Sequence, residues 1–135
     1  MNSFYKQRAL KTVFMVFFML ILTIPVLSTD IPAPIIESFK KGNTNMLSGY
    51  LNSQVECVVL QNENIYTNKQ AELILKDFFS KHVPNDFTII HKSDKGYAIG
   101  KLKTNKGEYR VTILLKTTAG KELIHQLRIE IENNE

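Results

Sequence analysis

Histidine, cysteine and tyrosine are the side chains here best suited to move a proton or attack a carbon near neutral pH. The chain has three histidines, five tyrosines and one cysteine. His125 stands between Leu123 and Leu127 in an alternating stretch, so a period of two turns it inward with them. An inward histidine in a small domain can act as a general acid or base. Tyr97 and Tyr109 are the candidates to line the same cavity and offer hydroxyls to a ligand. Each also has a plainer reading: a lone core histidine is commonly just hydrogen-bonded, and tyrosine at a sheet–helix boundary commonly just packs. No acid–base pair accompanies His125. Glu56, Glu108, Arg110, Arg128 and Glu130 alternate with the apolar sets and should point outward. A one-residue change of register would reverse these faces.

Other chemistry is poorly supported. Cys57 lies in the run Val55-Glu56-Cys57-Val58-Val59-Leu60, which reads as a buried strand and an inert, packed thiol. As the single cysteine it cannot form an intramolecular disulfide. His82, His91 and His125 are scattered without ligand spacing, so no metal is expected. The six glycines are spread over turns and strands, so there is no phosphate-cradling loop, and no cofactor is expected.

The elements that must position these residues follow from periodicity. Ile31, Ile35 and Phe39 form one stripe, Pro32 and Pro34 suit a first helical turn, and Gly42-Asn43 is a stop. Thr44 is then expected to cap a short helix from Asn45 to Leu51, with Met46, Leu47, Tyr50 and Leu51 turned inward. After the Cys57 strand, residues 61–64 read as a turn and Ile65-Tyr66 as a short extended piece. Thr67 and Gln70 have capping-box spacing. Ala71, Ile74, Leu75, Phe78, Phe79 and His82 then make one helical stripe, ended by Pro84-Asn85-Asp86. From Phe87 the period is two, giving strands at 87–92, 97–103, 108–116 and 122–132 separated by polar loops ending in glycine. These spacings predict an antiparallel meander. The fold class is α+β: a curved antiparallel sheet covered on one face by helices.

Charge divides the chain. Lys6, Arg8 and Lys11 precede the apolar run Val13–Leu22, and small residues follow it, the parts of a secretory signal peptide ending at Ser28 or Thr29. As a helix, residues 13–27 would span ~22 Å, short of the ~30 Å hydrocarbon core, so no stable membrane anchor is expected. Residues 29–135 should form a single exported domain, periplasmic or extracellular. Without the leader's three cations, 14 basic residues of the total 17 face 13 acidic ones. That near-neutrality, with export, excludes nucleic acid as a partner. The positive charge left is concentrated at Lys92–Lys116, where seven basic residues face Asp94 and Glu108. Lysines at solvated strand edges also serve to block aggregation, the plainer account of this cluster.

Several stretches resemble a known family. Asp30-Ile31-Pro32-Ala33-Pro34-Ile35, Phe39-Lys40-Lys41-Gly42-Asn43, Tyr66-Thr67-Asn68-Lys69-Gln70-Ala71-Glu72 with Leu75-Lys76-Asp77-Phe78-Phe79, Tyr97-Ala98-Ile99-Gly100, Gly107-Glu108-Tyr109-Arg110-Val111 and Leu123–Glu130 are similar to small exported bacterial proteins of the domain of unknown function 4783 family. The resemblance implies a nuclear transport factor 2-like, or cystatin-like, cone of helices and curved sheet around a central cavity. The family has no established activity, so it implies no catalytic residues.

The function expected is therefore a non-catalytic exported module that binds a small apolar ligand or a protein partner, with a homodimer through its sheet. The competing expectation is an isomerase- or hydrolyase-like enzyme using His125 with Tyr97 or Tyr109.

Overall fold

The computed structural model describes residues 30–133, and the expected leader lies outside the described residues. Helix α1 (Ala33–Lys41) starts with proline in its first turn, where the missing amide costs no hydrogen bond, and ends at Gly42 in the left-handed region (φ 64°). Its Ile35, Ser38 and Phe39 are buried. Helix α2 (Thr44–Ser48) is capped one residue earlier than the sequence suggests: Asn43 Oδ1 accepts the Met46 amide, Thr44 is already helical, and Met46 faces solvent. Leu51 belongs to the next strand. Helix α3 (Asn68–Lys81) carries the complete capping box, Thr67 accepting from Gln70 N and Gln70 accepting from Thr67 N. It buries Ala71, Leu75, Phe78 and Phe79.

Six strands form one sheet: β1 (Leu51–Val59), β2 (Asn62–Thr67), β3 (Pro84–Lys92), β4 (Tyr97–Thr104), β5 (Gly107–Thr118) and β6 (Lys121–Ile131), in the order β2-β1-β6-β5-β4-β3. From β3 to β6 the chain is the antiparallel meander expected. Two features differ. Strand β1 runs parallel to β6, joined through the intervening helix and meander. Residues 62–64 are strand rather than turn, because β1 offers them a partner and the chain reverses over Leu60-Gln61 alone. Register shifts in the β1–β6, β3–β4 and β5–β6 pairings bend the sheet, and the helices pack inside its curve.

The inner face of that curve is filled by rings. Phe87 lies 4.8 Å from Phe39, Phe39 6.2 Å from Phe79, Phe79 5.4 Å from Phe78, and Phe78 5.4 Å from Tyr109, mostly edge to face. Room for Phe87 depends on Gly100 across the β3–β4 ladder, where an added Cβ would stand 2.4 Å from the ring. Cys57 is wholly buried on β1, and burial pushes its thiol up to about 11.

Two outcomes follow from this core. Gly100→Ala should cost about 1–3 kcal/mol, lowering Tm by at least ~4 °C. Adding Phe87→Leu should recover part of the loss, and a Tm unchanged in Gly100→Ala would show the contact is loose. Cys57 should resist an aromatic disulfide reagent at pH 8 until urea is added. Because its thiol is raised, its contribution to stability is intact below the unfolded value of 9.0 and is lost as pH rises toward about 11. Denaturation midpoints across that window measure the loss relative to Cys57→Ala.

Candidate functional site

The residues singled out by sequence do not meet. In β6 the buried residues are Ile124, Leu127 and Ile129, not Leu123, His125 and Ile131. Leu114 pairs with Gln126 and Leu115 with Ile124, so β6 carries one extra residue, His125, between them. This bulge reverses the phase of the strand's first half and turns His125 outward, where its Nε2 lies 3.0 Å from Oγ1 of exposed Thr118. The expectation of His125 in an interior wall is thus corrected, because a period of two fails across a bulge. Tyr97 is 42% exposed and alternates with buried Ala98 and Gly100, so it too is on the outer face. Tyr109 alone of the three is inward. The outward charges Glu56, Glu108, Arg110, Arg128 and Glu130 are as the alternation predicts, none of them buried. Arg128 donates to Glu130 at 3.0 Å, which holds its guanidinium above the ordinary value. Near the first described residue, Lys92 donates to Asp30 at 2.8 Å and holds that carboxyl below its usual range.

A different constellation surrounds Tyr109. Where α3 ends, His82 terminates the helix by donating its backbone amide to Phe78 O at 2.9 Å, and its ring Nδ1 lies 2.9 Å from the same oxygen. A carbonyl only accepts, so Nδ1 carries the proton and Nε2 of the neutral ring keeps its lone pair. The ring stacks on Phe78 at 4.4 Å and meets Tyr109 edge-on at 5.3 Å. These contacts fix its orientation. Nε2 has no hydrogen-bond partner among the described residues.

His82 lines a groove of about 360 Å³ between α3 and the β1–β2 turn. Val59, Leu60, Ile74 and Phe78 form apolar walls, Leu73 reaches the rim at 58% exposure, and Asn62 adds an amide. Asp77 and Lys81, also at the rim, pair with each other at 3.0 Å. Leu60 contributes through unusual backbone: at φ 56° in a tight hairpin it occupies a conformation that favours glycine, and its amide is held by Ile129 O at 2.8 Å. A strained leucine on a groove wall is the kind of outlier that collects at binding sites. Sequence reading put His82 on the helical stripe and went no further. The signal available was its position at Phe78 plus four, one turn on, just before the helix stops. Among the described residues no three His, Cys, Asp or Glu side chains come together to hold a metal ion, and no helix is long and apolar enough to cross a membrane.

The family described as a domain of unknown function (DUF4783) matches residues 32–130. A protein of that family from Bacteroides ovatus is 34% identical, aligned over 77% of this chain and 97% of its own, with a TM-score of 0.71. Another from Bacteroides fragilis is 31% identical over 76% and 100%, with a TM-score of 0.73. At 16% identity, an uncharacterized Silicibacter pomeroyi protein with a cystatin-like fold aligns over 76% of this chain and 73% of its own, with a TM-score of 0.54, a likeness of fold alone. No curated protein matches the chain.

Proposed function

Because the chain belongs to the family described as a domain of unknown function (DUF4783), which supplies no activity, we propose its function from the groove beside α3: it is a non-catalytic module that binds a compact, mostly apolar molecule bearing one hydrogen-bond donor. The observation that carries this reading is the fixed His82 ring, whose Nδ1 is committed to Phe78 O and whose Nε2 is left as an acceptor beside apolar walls. Volume agrees, since a space of about 360 Å³ lies at the lower end of the ~300–1,000 Å³ of small-molecule pockets. At the rim of the groove Asp77 is engaged by Lys81.

The test uses 2-naphthol, a fluorescent bicyclic phenol, and its O-methyl ether, which keeps the shape and loses the donor. One hydrogen bond of about 1–1.5 kcal/mol predicts that 2-naphthol binds ~5–10-fold more tightly than the ether. His82→Phe, which retains the stack on Phe78, should abolish that difference, and His125→Ala should preserve it. Equal binding of the two probes, or a difference that survives in His82→Phe, contradicts the reading.

We also propose that the module is exported, on the pattern of Lys6, Arg8 and Lys11 ahead of Val13–Leu22. Intact-mass spectrometry of the native protein should show loss of residues 1–28 or 1–29, and a full-length mass would contradict export by cleavage.

A further inference from the structure

The groove beside α3 does not end at the β1–β2 turn. Leu60 and Asn62 also line a second groove of about 620 Å³, completed by Gln61, Glu130, Ile131 and Asn133. One wall of it is an unfinished strand edge. Strand β6 pairs with β1 in parallel as far as Val59 and Ile129, and Leu60 N still donates to Ile129 O at 2.8 Å. One step further the ladder stops, because Leu60 at φ 56° turns the chain back into β2. On its other side β6 bonds β5 through Glu132 N to Glu108 O at 3.2 Å. Bonding alternates along an antiparallel pair, so the Ile131 amide and carbonyl point the opposite way, toward the line of β1. Neither has a hydrogen-bond partner among the described residues. The Ile131 side chain is 67% exposed and shares the inner face with Leu127 and Ile129. It stands opposite Tyr109, whose ring meets His82 at 5.3 Å. Strand edge and His82 groove are thus joined along the inner face.

We propose that the occupant of the two grooves is an extended, uncharged peptide segment carrying a tyrosine. Its main chain continues the line of β1 and pairs with Ile131, and its tyrosine side chain enters the groove at His82. This rests on the reading of His82 Nε2 as an acceptor and names the class of molecule that carries the donor. An unpaired amide and carbonyl side by side on a strand edge match another main chain, which offers one of each. A strand laid there directs every second side chain to the inner face, toward His82. Tyrosine brings an apolar ring to Val59, Leu60 and Phe78 and a hydroxyl donor to Nε2. Charge selects against an ionic segment, since Glu130 is the one charged residue lining the second groove and Arg128 already donates to it at 3.0 Å.

The probe is the pentapeptide N-acetyl-Ala-Val-Tyr-Val-Ala-amide, titrated calorimetrically into the protein purified from an exporting bacterial host. Its phenylalanine counterpart should bind ~5–10-fold more weakly, the loss of one hydrogen bond. N-acetyltyrosinamide, which lacks the flanking residues, should bind at least ~10-fold more weakly than the pentapeptide. The pentapeptide, but not 2-naphthol, should slow hydrogen exchange of the Ile131 amide. Ile131→Pro removes that donor at a strand end where no ladder bond is lost. It should weaken the pentapeptide ~5–10-fold more than Ile131→Ala, which keeps the donor. Should the proline variant fail to fold, the exchange measurement on the unsubstituted protein decides. The peptide proposal alone is overturned if 2-naphthol keeps its preference over the ether while the pentapeptide binds no better than N-acetyltyrosinamide or leaves Ile131 exchange unchanged. If 2-naphthol shows no such preference, the reading of His82 and this proposal fall together.

Discussion

The shape of this domain depends on filling the inside of a bent sheet. Register shifts curve the strands, and a curved sheet leaves a volume that aliphatic side chains and three short helices do not close by themselves. Rings close it. They run in contact from Phe87 on β3 through Phe39 on α1 to Phe79 and Phe78 on α3, then to Tyr109 on β5 and His82 at the helix end. Gly100 exists at one end of this series to admit Phe87. At the other end the series reaches solvent, and its last ring is an imidazole rather than a phenyl.

That placement makes the groove a consequence of the packing. Among the described residues the buried ionisable side chains are Cys57 and Tyr109, and the other buried polar residues are Ser38, Thr44 and Thr104. Where the rings end, an oriented polar atom, His82 Nε2, adjoins apolar walls with an opening to solvent. The hydrogen bond that fixes the ring and the one that ends the helix share a single acceptor, Phe78 O, so the site is supported where the helix stops. Leu60, held at positive φ by the β1–β2 turn and by Ile129, completes the opposite wall.

Much of the framework was legible in sequence because its signals are local. The Thr67–Gln70 box, the left-handed Gly42, the α3 stripe and the alternation of Tyr109, Val111, Ile113 and Leu115 each depend on residues a few positions apart. What sequence missed depends on partners far along the chain. Strand β2 is polar and edge-exposed, and it exists because β1 pairs with it. The His125 bulge is defined against β5, and with Leu123 and Ile124 adjacent and both apolar, either phase satisfied the local pattern. The candidate site moved accordingly, from an interior wall at His125 to the end of α3. There His82 acquires its role from a carbonyl four residues earlier and from a tyrosine on a strand.

The most direct measurement of the account is a long-range ¹H–¹⁵N correlation spectrum of the histidine rings at neutral pH, with and without 2-naphthol. The structure predicts that neutral His82 is protonated at Nδ1 and that adding the phenol shifts its Nε2 resonance while those of His91 and His125 stay in place. A His82 ring protonated at Nε2, or a phenol that perturbs His125 instead, would contradict it.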